Sequence, residues 1–154
     1  ITDIHESTIK RVSETYKTKV VGLDEIYDID MDIYAPCALG ATINDDTLSR
    51  LKCSIIAGAA NNQLQKEAIH GNAVMDKGII YAPDFALNAG GVINCYSEVA
   101  GLSAEWAMDK ATGIYGTIEQ IVKRSKEGNI PTYMIANKMA EERIEAVGKV
   151  KLPR

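Results

Sequence analysis

Histidine and cysteine are scarce in this sequence, and their scarcity argues against most metal centres and disulfide scaffolds. The two histidines, His5 and His70, do not lie near a cysteine in the chain. The three cysteines, Cys37, Cys53 and Cys95, are odd in number and show no C-x-x-C spacing. A structural zinc site needs clustered Cys and His ligands, so we expect no metal. The small or apolar residues around the cysteines predict buried, reduced thiols, as in cytosolic proteins.

A basic surplus and a long apolar run are also missing. The 154 residues carry a net charge of -4, whereas a nucleic-acid surface would need a basic stripe. No apolar run approaches the roughly 18 residues of a transmembrane helix. No basic segment followed by an apolar core marks a secretory leader. The sequence therefore predicts one globular, cytoplasmic domain with no nucleic-acid or membrane partner.

The sequence does contain short apolar runs that alternate with segments of helical spacing. The predicted strands are 19–21, 31–34, 53–57 and 78–81, with 1–4 resembling the end of a further strand. The predicted helices are 5–16, 65–76 and a short one from Asn44 or Asp45 to Leu51, and Gly78 is expected to end the second of these in a left-handed conformation. This alternation predicts a parallel sheet of four or five strands with helices on both faces.

Loops rich in small and amide residues follow three of the predicted strands, at 35–40, 57–62 and 88–91. The carboxyl ends of parallel strands share one edge of a sheet, where α/β proteins bind their ligands. Pro83 should end the preceding strand because it has no N–H, and Gly90-Gly91 lets a ligand approach the backbone. We therefore expect a cleft for a nucleotide-type ligand, with a purely structural sheet edge as the alternative.

Long helices are predicted after Gly101. Ser103 is a suitable N-cap for a helix that contains Trp106 as a core residue and ends before Gly128. Pro131 suits the first turn of a last helix. The apolar side of that helix is predicted to hold Met134, Ile135, Met139, Ile144 and Val147. We expect 1–102 to form a partial dinucleotide-binding domain and 103–154 to pack on it, with a helix across the sheet and a frayed tail at 149–154.

Asp3 has two interpretations. In dinucleotide-binding folds an acid at the end of the second strand bonds the ribose, about 20 residues after a G-x-G-x-x-G fingerprint. No such fingerprint occurs in this sequence, so on this interpretation we expect it upstream of residue 1. Alternatively, Asp3 is a helix N-cap with Glu6 three residues later, a variant of the capping box.

Three ordered motifs, at 32–40, 56–64 and 81–94, resemble the cofactor domain of the glutamate/leucine/phenylalanine/valine dehydrogenases. The segment 130–144 is most similar to the leucine dehydrogenases in that family. The resemblance implies an α/β, Rossmann-type fold, here truncated without its first βα unit, and NAD as cofactor. It implies reversible oxidative deamination of an L-amino acid to a 2-oxo acid and ammonia. Family members carry the catalytic Lys and Asp on a separate N-terminal domain, so no catalytic residue is expected in this chain.

The resemblance also assigns cofactor roles. Asp3 matches the ribose-binding acid, whose charge would repel a 2′-phosphate and so implies NAD. Cys37 and Ala38 match the loop whose backbone passes the nicotinamide half. Asn61 matches the amide that bonds the nicotinamide ribose or the substrate, with Asn62 as its neighbour. Loop and helix-cap chemistry is the alternative for the two asparagines.

Val92 and Cys95 match positions that line the substrate side-chain pocket. Their i, i+3 spacing puts them on one helix face. Leucine dehydrogenases tend to carry Val at both positions, and glutamate dehydrogenases carry Ser at the second. Cys95 departs from both patterns. Because a thiol behaves as a small hydrophobe, it favours an apolar substrate.

The leading hypothesis is therefore a fragment of a leucine-type, NAD-dependent amino-acid dehydrogenase. We expect the fragment alone to be inactive and to bind NAD weakly, and we expect a homo-oligomer. A valine or phenylalanine dehydrogenase is the close alternative. A non-catalytic half-domain that binds a nucleotide or a partner, and a proteolysis product with no function of its own, are the others.

Overall fold

The computed structural model describes residues 1–149, which contain seven α-helices, a 3-10 helix and three short strands. In chain order these are α1 (Glu6–Tyr16), the 3-10 helix (Glu25–Asp28), β1 (Ile33–Tyr34), α2 (Asp45–Arg50), β2 (Ile55–Ile56), α3 (Glu67–Asp76), β3 (Ile80–Tyr81), α4 (Asp84–Leu87), α5 (Gly90–Val99), α6 (Ala104–Gly128) and α7 (Thr132–Gly148). The predicted α/β class with long C-terminal helices is confirmed. No helix in this part of the chain is long and apolar enough to cross a bilayer.

The three strands form one parallel sheet in the order β1-β2-β3. The register places Tyr34 beside Ile56 and Ile56 beside Tyr81. These three side chains are buried, whereas the residue before each of them is partly or largely exposed, as the two-residue period of a strand requires. They join the main core, whose other members are Ile43, Leu48, Leu51, Cys53, Leu64, Val74 and Ile79.

The prediction of four or five strands is wrong for the described residues. Segments 1–4 and 19–21 are not strands, although the Val21 N–H donates to the Ile1 carbonyl at 3.0 Å and the Ile1 amino group donates to the Lys19 carbonyl. The intervening α1 buries none of its residues. A strand gains its stability from neighbouring strands and a covered face, and these segments have neither.

Local sequence signals locate the helix ends well. The Asn44 side chain accepts the Thr47 N–H at 3.1 Å while the Thr47 hydroxyl accepts the Asn44 N–H, which is a complete capping box at α2. Gly78 has φ 75° and follows α3, with its N–H bonded to the Met75 carbonyl. Ser103 caps α6 by accepting the Trp106 N–H. The predicted caps at these three ends are confirmed.

The packing of the C-terminal helices differs from the prediction. The long α6 packs chiefly against α4, α5 and α7 rather than across the sheet, and α3 and α7 contact β3. Trp106 is only partly buried, beside Tyr96, because α5 and α6 meet near the edge of the molecule. Of the predicted apolar side of α7, Ile135 is buried but Met134, Ile144 and Val147 are exposed. The predicted tail lies outside the described residues except for Lys149, which follows α7.

Arg50 on α2 joins the helix to the 3-10 helix. Its guanidinium lies 2.8 Å from an Asp24 oxygen and 2.7 Å from an Asp28 oxygen. The hydrogen bonds from Arg50 hold the pKa of both carboxyls below the usual 3.8. A lowered pKa in the folded state contributes stability above the unfolded value, and that contribution is lost as pH falls through the lowered value.

We predict that Arg50→Gln lowers the free energy of unfolding more at about pH 6 than at about pH 3, because at pH 3 the unfolded-state carboxyls are largely protonated and part of the contribution of the ion pairs is lost. Urea denaturation at both pH values measures the difference. Arg143→Gln is the control, because Arg143 makes no ion pair within residues 1–149. An equal loss at both pH values would contradict the role of the two carboxylates.

Candidate functional site

The loops that follow β1 and β2 run side by side at the carboxyl edge of the sheet. The Ala60 N–H donates to the Pro36 carbonyl at 3.0 Å. Further along, the Ala41 N–H donates to the Asn62 carbonyl at 2.7 Å. The two loops are therefore joined by backbone hydrogen bonds, as their placement on one sheet edge predicted.

Two glycines make this close approach possible. A Cβ at Gly58 would lie 2.1 Å from the Pro36 carbonyl oxygen, and one at Gly40 would lie 2.6 Å from the backbone carbonyl oxygen of Asn61. Neither contact is tolerable, because both neighbours are backbone atoms. Gly40 and Gly58 are thus required by the packing of the two loops, independently of any ligand.

Asp84 ties the segment after β3 to the loop after β2. One of its carboxylate oxygens accepts the Gln63 N–H and the other accepts the Phe85 N–H, both at 2.7 Å. Asp84 is buried. Burial raises the pKa of the adjacent Tyr81 phenol, and the Asp84 charge raises it further, so the phenol stays neutral.

Gln63 fixes the shape of the loop after β2 from within. It is fully buried, and its Nε2 donates to the Gly58 carbonyl at 2.6 Å and to the Ala60 carbonyl at 2.9 Å. Two hydrogen bonds from one amide group fold the loop around the Gln63 side chain. Asn61, which lies between these anchors, therefore sits on a rigid support.

Asn61 and Asn88 bring the loop after β2 and the end of α4 together. The Asn88 Nδ2 donates to Asn61 Oδ1 at 2.5 Å and lies 3.3 Å from the Ala59 carbonyl. A cavity of about 360 Å³ opens beside Asn61; it is lined by Asn61, Asn62, Leu64, Glu67, Tyr81, Asp84 and Phe85. The cavity is polar on the amide and carboxylate side and apolar at Phe85 and Leu64. No group of three His, Cys, Asp or Glu side chains in residues 1–149 could hold a metal ion.

Cys37 and Ala38 lie exposed on the loop after β1, next to this cavity's supporting loop. The Cys37 sulfur accepts the Ala59 N–H at 3.5 Å. The prediction of a buried thiol holds for Cys53 but is wrong for Cys37 and Cys95, which are exposed. Cys37 follows the end of a strand, where the chain leaves the core, so its small neighbours mark a surface loop.

Asp3 makes no hydrogen bond to these loops within the described residues. Its Oδ1 accepts the His5 N–H at 2.8 Å. The capping-box interpretation is wrong, because His5 is the N-cap of α1 and no side chain caps that end. Asp3 instead makes a local turn before the helix begins.

Val92 and Cys95 are both exposed on α5, which begins two residues after Asn88. Val92 is 67% exposed, and Tyr96 and Val99 continue the same apolar strip. Gly90 and Gly91 are the first two residues of α5, and a Cβ added at either would meet no atom within 4 Å. The fold therefore leaves open space and apolar surface beside the loop cluster, which we define as the loops 35–40 and 57–62 together with Asn88.

Sequence reasoning missed the roles of Asp84, Gln63 and Asn88. All three lie inside motifs that it did single out, but no residue pattern shows a hydrogen bond across 21 or 27 positions. The available signals were an acidic residue at the first position of a helix and an amide directly after two asparagines. Neither signal identifies the partner.

The parallel sheet, with the loops after β1 and β2 side by side at its carboxyl edge, is a Rossmann-like α/β domain. The model of the Glutamate/Leucine/Phenylalanine/Valine dehydrogenase family matches residues 1–150, and the chain belongs to this family. It is 53% identical to leucine dehydrogenase of Bacillus subtilis over 145 residues, and 42% identical to L-tryptophan dehydrogenase of Nostoc punctiforme over 144.

The solved structures agree with this assignment. A crystal structure of L-tryptophan dehydrogenase from Nostoc punctiforme superposes with a TM-score of 0.93 at 41% identity, covering 97% of this chain and 44% of that one. The hetero-hexameric glutamate dehydrogenase of Thermus thermophilus shares the fold, with a TM-score of 0.67 at 17% identity. The alignment to the Bacillus subtilis enzyme covers 94% of this chain but 40% of that protein, and the Nostoc alignment 94% and 41%.

We predict that Gly58→Ala lowers the free energy of unfolding by about 1 to 3 kcal/mol, because the new methyl group meets the Pro36 carbonyl and forces the two loops apart. Chemical denaturation measures the loss. Gly113→Ala is the matched control: Gly113 lies inside α6 with open space around it, so alanine there should stabilise the helix slightly. Equal stability of the Gly58 variant and the wild type would contradict the close approach.

Proposed function

We propose that this chain is the NAD-binding part of an enzyme that oxidatively deaminates a branched-chain aliphatic L-amino acid, leucine foremost. Family membership and the leucine dehydrogenase relatives support the class of reaction. The observation that carries the proposal is the joining of the loops after β1 and β2 at one sheet edge, with the Asn61 amide held by Asn88 at the end of α4, near the open backbone of Gly90 at the start of α5.

The residues at this edge suit NAD. Gly90 and Gly91 have neither a positive φ nor a close neighbour, so the fold itself does not require glycine there. Alanine would favour the helix, so a bound ligand that approaches the backbone is the reason we assign for the glycines. Cys37 and Ala38 would pass the nicotinamide half, and Asn61, with Asn62 beside it, would bond the ribose or the substrate.

Asp3 would bond the adenosine ribose hydroxyls and would disfavour a 2′-phosphate. When bound, the cofactor would supply the acceptor for the hydride that leaves the substrate's α-carbon. The residues of this chain hold and orient the cofactor. We assign no acid or base of the reaction to them.

Gly90→Ala should weaken NADH binding while leaving stability unchanged or raising it by up to about 1 kcal/mol. These opposite signs separate a ligand contact from a folding defect. Titration of the ¹⁵N-labelled chain with NADH, followed by NMR, measures affinities into the millimolar range, with Gly113→Ala as control. Unchanged NADH affinity would contradict the role of Gly90, and shifts confined to residues away from the loop cluster would overturn NAD binding at this site.

The substrate proposal rests on α5. Val92 and Cys95 present an apolar wall, and α5 contains no Lys or Arg. A glutamate side chain would have to bury its carboxylate there without a cationic partner from this helix. A leucine or valine side chain gains about 1.5 to 3 kcal/mol on burial.

In an active enzyme that carries this sequence, we expect kcat/KM to favour leucine or valine over phenylalanine and glutamate. Cys95→Val should preserve this order of substrates. Cys95→Ser should lower kcat/KM for leucine about tenfold or less, because only a small apolar contact changes. A preference for glutamate would refute the proposed pocket. A preference for phenylalanine would point to the phenylalanine branch of the family.

The proposal includes a homo-oligomer in the cytoplasm and no turnover by the 154-residue chain alone. NADH formed from L-leucine by a sample proven free of longer enzyme would contradict the last point. A chain that binds NADH but supports no turnover in any longer form would instead be a binding module.

A further inference from the structure

Asn88 lies where two elements meet. It ends α4, where its backbone N–H donates to the Asp84 carbonyl at 2.8 Å. Its side chain reaches the loop after β2, where Nδ2 contacts the carbonyl of Ala59 at 3.3 Å and Oδ1 of Asn61 at 2.5 Å. One amide nitrogen thus bonds two oxygens of the neighbouring loop.

The two contacts together fix which way both amides point. The oxygen and nitrogen of an Asn side chain have similar shapes, so a single Asn–Asn contact is compatible with either orientation. The Ala59 carbonyl removes the ambiguity, because a backbone oxygen only accepts. It holds the NH₂ group of Asn88 toward the loop, and the same NH₂ group then requires the oxygen of Asn61.

The fixed orientation determines which atoms of the Asn61 side chain are available to a ligand. Its Oδ1 is occupied by Asn88, and its Nδ2 has no partner within residues 1–149. Asn61 is exposed and adjoins the 360 Å³ cavity. The Asn61 Nδ2 therefore offers hydrogen-bond donors to that cavity, while Oδ1 is turned toward Asn88, which takes one of its two lone pairs.

We propose that Asn88 is a positioning residue that locks Asn61 as a hydrogen-bond donor, so that Asn61 binds an oxygen acceptor of the ligand. The inference rests on the proposed function. On a nicotinamide nucleotide the matching acceptors are the ribose hydroxyl oxygens and the carboxamide oxygen.

The support around Asn88 makes the lock rigid. Gln63 holds the loop from within, and Asp84 holds it against the start of α4. Both ends of the Asn61–Asn88 bond are thus attached to buried residues. Loss of the Asn88 amide would leave the loop backbone in place but free the Asn61 side chain to rotate.

The test uses NADH and the 154-residue chain, followed by NMR with the Asn61 side-chain NH₂ signals assigned. In the wild type we expect NADH to shift these signals. Asn88→Ala should weaken NADH binding about tenfold, the effect of one misdirected hydrogen bond, and abolish that shift. Backbone signals of the core, such as those of Ile56 and Val74, should be unchanged.

Asn88→Asp provides the readout that a purely structural role would not move. A carboxylate cannot donate, so Asn61 must turn its NH₂ group toward position 88 and show its oxygen to the ligand. Binding should be weak at about pH 7 and recover in part as the pH falls and the new carboxyl gains a proton that it can donate. Asn94→Asp adds the same charge on exposed α5 and controls for repulsion of the phosphates.

The outcomes separate the two proposals. If the wild type does not bind NADH at the loop cluster, the proposed function itself fails. If the wild type binds but Asn88→Ala binds equally well with the same Asn61 shift, the positioning role alone is overturned. Equal pH dependence in the Asn88→Asp and Asn94→Asp variants would overturn the donor assignment.

Discussion

The whole site depends on the close approach of the backbones of the two loops that follow β1 and β2. This approach requires glycine at position 58, because the Pro36 carbonyl occupies the space that a Cβ would take. Once the loops are joined, the buried Gln63 side chain determines the path of the second loop, and Asp84 attaches the segment after β3 to it. Each later feature of the site follows from that first approach.

The polar groups that hold the site are buried, which makes their hydrogen bonds matter more. A buried carboxylate is unfavourable unless its oxygens are paired, and Asp84 satisfies this by accepting two backbone N–H groups. One partner, the Phe85 N–H, is its neighbour in the chain, and the other, the Gln63 N–H, lies 21 positions away on the loop after β2. The Asp84 side chain therefore joins the segment after β3 to that loop.

This arrangement agrees with the proposed role of the chain, which is to hold a cofactor. The exposed groups at the sheet edge include amides, small side chains and backbone, together with Phe85 and the carboxylate of Glu67, while Asp84 and Tyr81 are buried in supporting roles. The Bacillus subtilis relative is more than twice as long, since the 145 aligned residues are 40% of its length.

The sequence by itself determined most of the local features: the longer helices, the caps at Asn44, Gly78 and Ser103, and the loops after β1 and β2 on one edge. The predicted loop at 88–91 is instead the junction of α4 and α5, and its two glycines are helical. Hydrophobic period and capping chemistry act within a few residues, so they are visible in the chain. Only the tertiary structure decided that segment 19–21 stays outside the sheet, that Cys37 is exposed, and that α6 packs on other helices. It also decided the pairing of Asp84 with Gln63 and of Asn88 with Asn61, because strand pairing, burial and long-range hydrogen bonds depend on which distant residues the fold brings together.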